Sequence, residues 1–122
     1  MIIYSDRIYM EDGVKDGYLQ IENGVFQAFY PAETSMEADR DWKGLRVIPG
    51  IFDTHNHGGF GVRINDGVTE DEVKIYLKGQ ASVGVTAVFP TTFELDAMRL
   101  VSRMADQSQD GAQILGIHSE GP

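Results

Sequence analysis

The sequence lacks cysteine, a surplus of basic residues and long apolar runs, and each absence excludes a class of function. Without cysteine there are no disulfides, thiolate nucleophiles or thiolate metal ligands, so His, Asp or Glu would have to hold any metal. Ten basic against nineteen acidic residues leave a net charge of −9, which repels nucleic acid and anionic membranes. No apolar run approaches the ~20 residues that span a bilayer, and no signal-peptide pattern is present. We therefore expect a cytoplasmic protein with no nucleic-acid or membrane partner.

The apolar content is sufficient for a packed core. Hydrophobic residues make up 42% and aromatic residues 10% of the 122 positions, whereas a disordered chain would be poorer in both. This length predicts one domain, or one small domain with part of another.

The first part of the sequence has the pattern of a small antiparallel β unit, which we place at residues 1–46. Short β-favouring runs alternate with Asp12-Gly13, Asp16-Gly17 and Asn23-Gly24, dipeptides that are typical of turns. Asn23-Gly24 is the strongest hairpin signal because both residues tolerate positive φ. The polar segment 31–41 is predicted to be a loop or a hairpin tip.

Residues 47–122 follow a strand, helix, strand, helix, strand pattern, which is typical of parallel α/β units. We predict a strand and its C-terminal loop over 47–57, a buried strand over 85–90 and a third strand over 114–118. Thr69 and Glu72 have the spacing of a capping box at the start of the first helix. Apolar stripes at helical spacing are formed by Val73, Tyr76, Leu77, Gln80 and Ala81, and by Ala97, Leu100, Val101 and Met104.

The α/β pattern accounts for only the first part of a complete α/β architecture. Three strands and two helices are far fewer than the eight of each in a closed barrel, which takes about 250 residues. We therefore expect a truncated chain.

His55-Asn56-His57 is the most informative candidate site. Side chains two positions apart on a strand project to the same side, roughly 6.6 Å apart, so two imidazoles could converge on one ion. Asp53 shares this parity, and the C-terminal end of a parallel strand is where α/β folds place active sites. We predict a metal site here, and a solvated histidine turn in a Gly-rich loop is the alternative.

Glu120 and His118 form a second candidate group at the end of the third predicted strand. The Glu120 carboxylate could complete a His/His/Glu ligand set or bridge two ions, or it could be a surface residue that begins a turn. His118 could be a ligand, a core histidine or a partner that orients a ligand. We favour the orienting role for His118 and place Asp53 in the same supporting group.

Other polar residues could contact a substrate. Thr91 and Thr92 could hydrogen-bond a ligand or cap the following helix, and capping is the preferred interpretation. Arg63 could meet an anion, although the Gly-rich run over 58–67 matches no phosphate-binding spacing and is predicted to be a flexible loop. No Ser/His/Asp triad is readable.

Three stretches carry a family resemblance: PGIFDTHNHGGFG at residues 49–61, GVTAVFPTT at residues 84–92 and ILGIHSEGP at residues 114–122. Together they resemble the amidohydrolase superfamily and, within it, the N-acetylglucosamine-6-phosphate deacetylases. The first stretch indicates only the superfamily, whereas the other two are characteristic of the deacetylase branch. The resemblance implies the start of a metal-dependent (β/α)₈ TIM barrel over 47–122, and residues 1–46 as part of a small β-sandwich.

The implied reaction is hydrolysis of the acetamido group of N-acetylglucosamine 6-phosphate, giving glucosamine 6-phosphate and acetate. By this resemblance His55 and His57 match histidine ligands of two-metal members and Glu120 matches a carboxylate ligand. One or two divalent ions (Zn, Fe, Mn or Co) are therefore implied.

The remaining parts of the implied site have no counterpart in these 122 residues. Two further histidine ligands, a substrate-facing histidine and the aspartate that shuttles the proton come from later strands of such enzymes. We therefore expect no catalytic residue within this chain, no activity of this chain alone, and a homodimer for the full-length enzyme.

Two other functions stay open. Another amidohydrolase, acting on a cyclic amide or a different N-acyl sugar, would share His55 and His57 and differ mainly in later parts of the chain. A self-contained metal-binding or interaction module without enzymatic activity is the second.

Overall fold

A computed structural model describes residues 1–105, 107 and 110–121; Pro122, the last residue of the third motif, lies outside the described residues. The chain divides into two compact units, residues 1–49 and residues 50–122. Among the described residues, neither helix is long and apolar enough to cross a membrane.

Residues 1–49 form the strands β1 (Ile2–Met10), β2 (Gly13–Glu22), β3 (Val25–Pro31) and β4 (Arg40–Asp41). They make one sheet with the order β3-β2-β1-β4. Between β2 and β3, Asn23 and Gly24 adopt φ values of 52° and 76°, which confirms the predicted hairpin turn. The polar segment after β3 contains a short 3-10 helix, Ala32–Thr34, and ends in β4, which pairs in parallel with β1.

The prediction of a turn at Asp16-Gly17 was wrong. Both residues lie inside β2, where Gly17 pairs with Pro31 of β3. A Cβ atom at Gly17 would collide with the carbonyl oxygen of Tyr30, so this glycine permits a close approach between strands. The buried core of this unit is small and consists of Ile3, Ile8 and Leu19.

The described part of residues 50–122 contains β5 (Ile51–Asn56), β6 (Gly58–Gly59), β7 (Val62–Arg63), α1 (Glu70–Ser82), β8 (Val85–Thr92), α2 (Leu95–Ala105), β9 (Gln113–Ile114) and β10 (His118–Ser119). Its parallel sheet has β8 at the centre. β5 lies on one side of β8, and β9 and β10 lie on the other, all in parallel pairing. The helices α1 and α2 connect these strands in the predicted strand, helix, strand, helix, strand order.

All three predicted strands differ from their observed extents, and the second, predicted over 85–90, continues to Thr92 in β8. The strand predicted from Val47 begins at Ile51, because Val47 forms a parallel bridge with Ile8 in the first unit. The third strand is split into β9 and β10, and between them Gly116 lies against the ring of Phe89, where a Cβ atom would come within 2.9 Å.

The capping box of α1 is confirmed. Thr69 Oγ1 accepts the backbone N–H of Glu72 at 3.3 Å, and the Glu72 carboxylate accepts the Thr69 N–H at 2.8 Å. The predicted apolar face of α1 is buried except for Ala81, which is exposed near the end of the helix. In α2 the predicted stripe is also buried, apart from the half-buried Leu100.

The Gly-rich run after His57 forms a tight hairpin of β6 and β7, which differs from the predicted flexible loop. Phe60 and Gly61 make the turn with φ values of 55° and 84°. The Phe60 ring packs where a side chain at Gly79 of α1 would otherwise stand. Contact with α1 thus orders a segment that its glycines alone predict to be flexible.

Candidate metal centre

His55, His57 and Glu120 come together in one cluster. Their potential ligand atoms all lie within 4.8 Å of one another. Glu120 Oε2 is 2.9 Å from His57 Nε2, and Glu120 Oε1 is 3.5 Å from His55 Nε2. Each side chain is about half exposed, so the cluster is open to a ligand from solvent.

The parallel sheet brings these residues together. β5 and β10 flank β8 in the same direction, so the polar residues at their C-terminal ends meet at one edge. His55 lies in β5 and His57 follows it, while Glu120 follows β10 and donates its N–H to the Thr92 carbonyl at 3.3 Å.

Asp53 supports the histidine segment from within β5. Its carboxylate accepts the His55 backbone N–H at 3.2 Å and the Asn56 side-chain amide at 2.8 Å. The Asn56 side-chain oxygen in turn accepts the Gly58 N–H at 2.7 Å. Asn56 was not predicted to have this role, although an amide side chain between two histidines was the available signal.

His118 contacts one candidate ligand edge-on. Its ring centroid is 4.4 Å from that of His55, with the planes at 83°. Its Nδ1 lies 3.2 Å from Thr91 Oγ1. The structure therefore places His118 beside the cluster and outside the group of three.

The preferred capping interpretation was wrong for Thr91. Thr91 is fully buried in β8, and its hydroxyl accepts the Asn56 backbone N–H at 2.9 Å. Thr92 comes closer to the prediction, because its hydroxyl accepts the Glu94 N–H in the turn just before α2.

Arg63 stands in β7 opposite Gly58, the residue after His57. The next residue, Ile64, donates its N–H to the His57 carbonyl at 2.8 Å, so the hairpin is tied to the histidine segment. The Arg63 side chain is exposed.

One buried group near this segment has a shifted pKa. Burial, with a smaller contribution from the Asp53 carboxylate, raises the pKa of Tyr76 to about 12. The folded environment of Tyr76 thus favours the protonated phenol.

The chemistry of the cluster fits a divalent ion. Two imidazole nitrogens and a carboxylate are a donor set that Zn²⁺ accepts in catalytic sites, where an open position is kept for water or substrate. The half exposure of all three side chains provides that openness. The alternative role of these side chains is an ion pair between the two imidazoles and the Glu120 carboxylate.

Sequence comparisons identify sugar-phosphate deacetylases as relatives. The chain is 31% identical over 99% of its length to an N-acetylgalactosamine-6-phosphate deacetylase of Escherichia coli O157:H7. It is 32% identical over 83% of its length to an N-acetylglucosamine-6-phosphate deacetylase of Vibrio furnissii. The chain spans only 33% and 27% of these relatives. No protein-family model matches it.

Solved structures that are similar to this chain include further deacetylases. The N-acetyl-D-glucosamine-6-phosphate deacetylase of Mycobacterium smegmatis superposes with a TM-score of 0.79 at 29% identity, over all of this chain and 35% of that one. A variant of that enzyme, solved with N-acetyl-D-glucosamine-6-phosphate, superposes equally well. A. niger ochratoxinase, with a TM-score of 0.57 and 12% identity, is similar in fold alone. In sequence and fold, this chain is thus a relative of the N-acetylglucosamine-6-phosphate deacetylases, as its motifs predict, over about a third of their length.

Proposed function

We propose that this chain supplies part of the metal site of a deacetylase that hydrolyses N-acetylglucosamine 6-phosphate to glucosamine 6-phosphate and acetate. His55, His57 and Glu120 are the proposed ligands, and Asp53 and His118 support them. The observation that carries the proposal is the convergence of these three donors from two separate strand ends. The two deacetylase relatives support the choice of reaction.

The proposed site takes one or two ions from Zn, Fe, Mn and Co. The two oxygens of Glu120 face different histidines, which suits either one shared ion or a bridging carboxylate. A bound divalent ion polarises a carbonyl and lowers the pKa of its water, which an amide substrate requires. The chain's own residues hold the donors, orient them through backbone contacts and leave the cluster open.

The wider architecture follows from the same proposal. Residues 47–122 begin a (β/α)₈ barrel, and residues 1–46 belong to a small β-sandwich. The complete enzyme is a cytoplasmic homodimer. The 122 residues alone are inactive because they contain no aspartate proton shuttle at a later strand.

Calorimetric titration with Zn²⁺ tests the ligand assignment. The wild-type chain should bind one or two ions, and the His55→Ala/His57→Ala variant should bind more than about 100-fold more weakly, since loss of an outer partner alone costs up to that much. Glu120→Gln should also weaken binding. Glu37→Gln, at an exposed position of the first unit, is its matched control and should not. Equal affinity of wild type and double variant would refute the site.

A second substrate, N-acetylgalactosamine 6-phosphate, is favoured by the relative that matches 99% of this chain. Both sugar phosphates should therefore be tested in an acetate-release assay with metal present. The 122-residue chain should release no acetate from either. Metal-dependent release would contradict the proposed inactivity, and the faster substrate would then identify the sugar.

A further inference from the structure

Thr91 occupies a central position in the sheet beside the metal cluster. It is fully buried in β8, the strand that lies between β5 and β10. The candidate ligands belong to those two outer strands or directly follow them. A side chain of the central strand can therefore act on both halves of the cluster.

On one side, Thr91 holds the backbone between the two histidine ligands. Asn56 pairs with Pro90, and the register of β5 against β8 is irregular just before this pair. The Asn56 N–H donates to Thr91 Oγ1 at 2.9 Å, so a side-chain hydroxyl satisfies this part-buried amide. The peptide that joins His55 to His57 is thereby tied to β8.

On the other side, the same oxygen meets His118 of β10. Thr91 Oγ1 lies 3.2 Å from His118 Nδ1, and the His118 ring packs against His55. A hydroxyl offers one donor and two acceptor positions, so a single Thr91 oxygen can serve both partners at once. His118 lies two positions before Glu120, so this contact also bears on the strand that carries the carboxylate.

We propose that Thr91 is a positioning residue that sets the separation between the histidine ligands and Glu120, and so sets the metal affinity of the cluster. This inference rests on the proposed metal site. The hydroxyl carries the effect, because it makes the contacts to both flanking strands, while the methyl group contributes packing.

The neighbouring threonine provides a matched control. Thr92 is also buried, and its hydroxyl accepts the Glu94 N–H at 3.2 Å, a local contact toward α2. Removal of either hydroxyl thus leaves one part-buried backbone amide without its partner. Thr92 also accepts the Glu120 N–H, but through its backbone carbonyl, which Thr92→Val retains. Only the Thr91 substitution should therefore alter the cluster.

The test compares Thr91→Val, Thr91→Ser and Thr92→Val by Zn²⁺ calorimetry and by hydrogen exchange of the Asn56 backbone N–H. Thr91→Val should weaken Zn²⁺ binding about 10- to 100-fold, as outer partners of ligands do, and should speed Asn56 exchange in the metal-free chain. Thr91→Ser keeps the hydroxyl and should bind as wild type even if it melts earlier. Thr92→Val should leave affinity and Asn56 exchange unchanged.

The outcomes separate this inference from the metal site itself. Wild-type binding of Zn²⁺ with equal affinity in Thr91→Val overturns the positioning role alone. A wild type that binds no Zn²⁺ overturns the metal site and this inference with it. Should Thr91→Val fail to fold, Thr91→Ala is compared with Thr91→Ser: weaker Zn²⁺ binding in Thr91→Ala alone supports the role, and equal binding in both variants, or lost affinity in Thr91→Ser, overturns it.

Discussion

The two units differ in how far apart in sequence their paired strands lie. In residues 1–49, β1, β2 and β3 follow one another through two-residue turns and pair antiparallel. Among the described residues, the only parallel partners of β1 are the two-residue β4 and the single bridge at Val47. In residues 50–122, β5 reaches β8 only after a hairpin and α1, and the pairing is parallel. The candidate ligands lie in the second unit, because parallel pairing gathers strand ends that are distant in sequence, here residues 55 and 120.

The hydrophobic cores of the two units show the same contrast between local and non-local contacts. The first unit buries three hydrophobic residues in its core cluster, whereas the cluster of the second draws on both helices and on β8 and β9. Non-local packing should therefore dominate the stability of the second unit, and local turn geometry should matter comparably in both.

The largest expected effect is the loss of a core side chain in the second unit. Leu77 of α1 is fully buried, so Leu77→Ala should lower the free energy of unfolding by about 3–5 kcal/mol. Leu19→Ala, in the smaller core, should cost about 2 kcal/mol. Urea unfolding followed by circular dichroism measures both. An equal or larger loss of unfolding free energy in Leu19→Ala would contradict the expectation that the larger core contributes more to stability.

A smaller effect is expected from alkaline pH. The folded chain holds the Tyr76 pKa at about 12 against an ordinary value of 10.0, so the unfolded chain loses this proton first. Stability is therefore intact below pH 10 and falls as the pH rises toward about 12, by roughly 2–3 kcal/mol.

The alkaline loss should disappear in Tyr76→Phe when unfolding is measured between pH 9 and pH 12. Tyr4→Phe is the control in the first unit. A hydrogen bond to Asp16 raises the pKa of Tyr4, but this contact is exposed. If Tyr4→Phe rather than Tyr76→Phe removed the loss, burial in the second unit would not be its source.

The smallest effect should be the same in both units. Gly24 of the hairpin and Gly84 after α1 have φ values of 76° and 89°, with open space where a Cβ atom would stand. Replacing either with alanine should cost about 1–2 kcal/mol, because only the left-handed backbone conformation is penalised. Thermal unfolding measures both, and a several-fold difference between them would show that more than local geometry is involved.

Local signals predicted the elements, and contacts between distant residues account for the errors. The Asn23-Gly24 turn and the Thr69 capping box are encoded in two to four consecutive residues, so they could be predicted. Asp16-Gly17 has the same kind of signal, yet β3 packs against Gly17 and keeps it in a strand. The hairpin after His57 was missed because its order comes from Phe60 packing on α1.

The residues of the candidate site also divide into those that local signals could predict and those whose roles depend on contacts between distant residues. His55 and His57 could be predicted as a pair from their spacing and strand position, since strand parity is a local property. Spacing could not choose between ligand and surface residue for Glu120, because its place beside His57 depends on how β10 pairs with β8. Thr91 was assigned to a cap because its partners, Asn56 and His118, lie 35 and 27 residues away.

The sequence by itself determined both helices, most of the strands, the Asn23-Gly24 turn, the donor types open to a metal and the family resemblance, since each resides in short runs of residues. Only the tertiary structure decided that an imidazole pair and a carboxylate meet, and that a buried threonine hydroxyl joins the strands carrying them. The physical reason is that hydrogen bonds and side-chain contacts act over a few ångströms of space, whatever the distance along the chain.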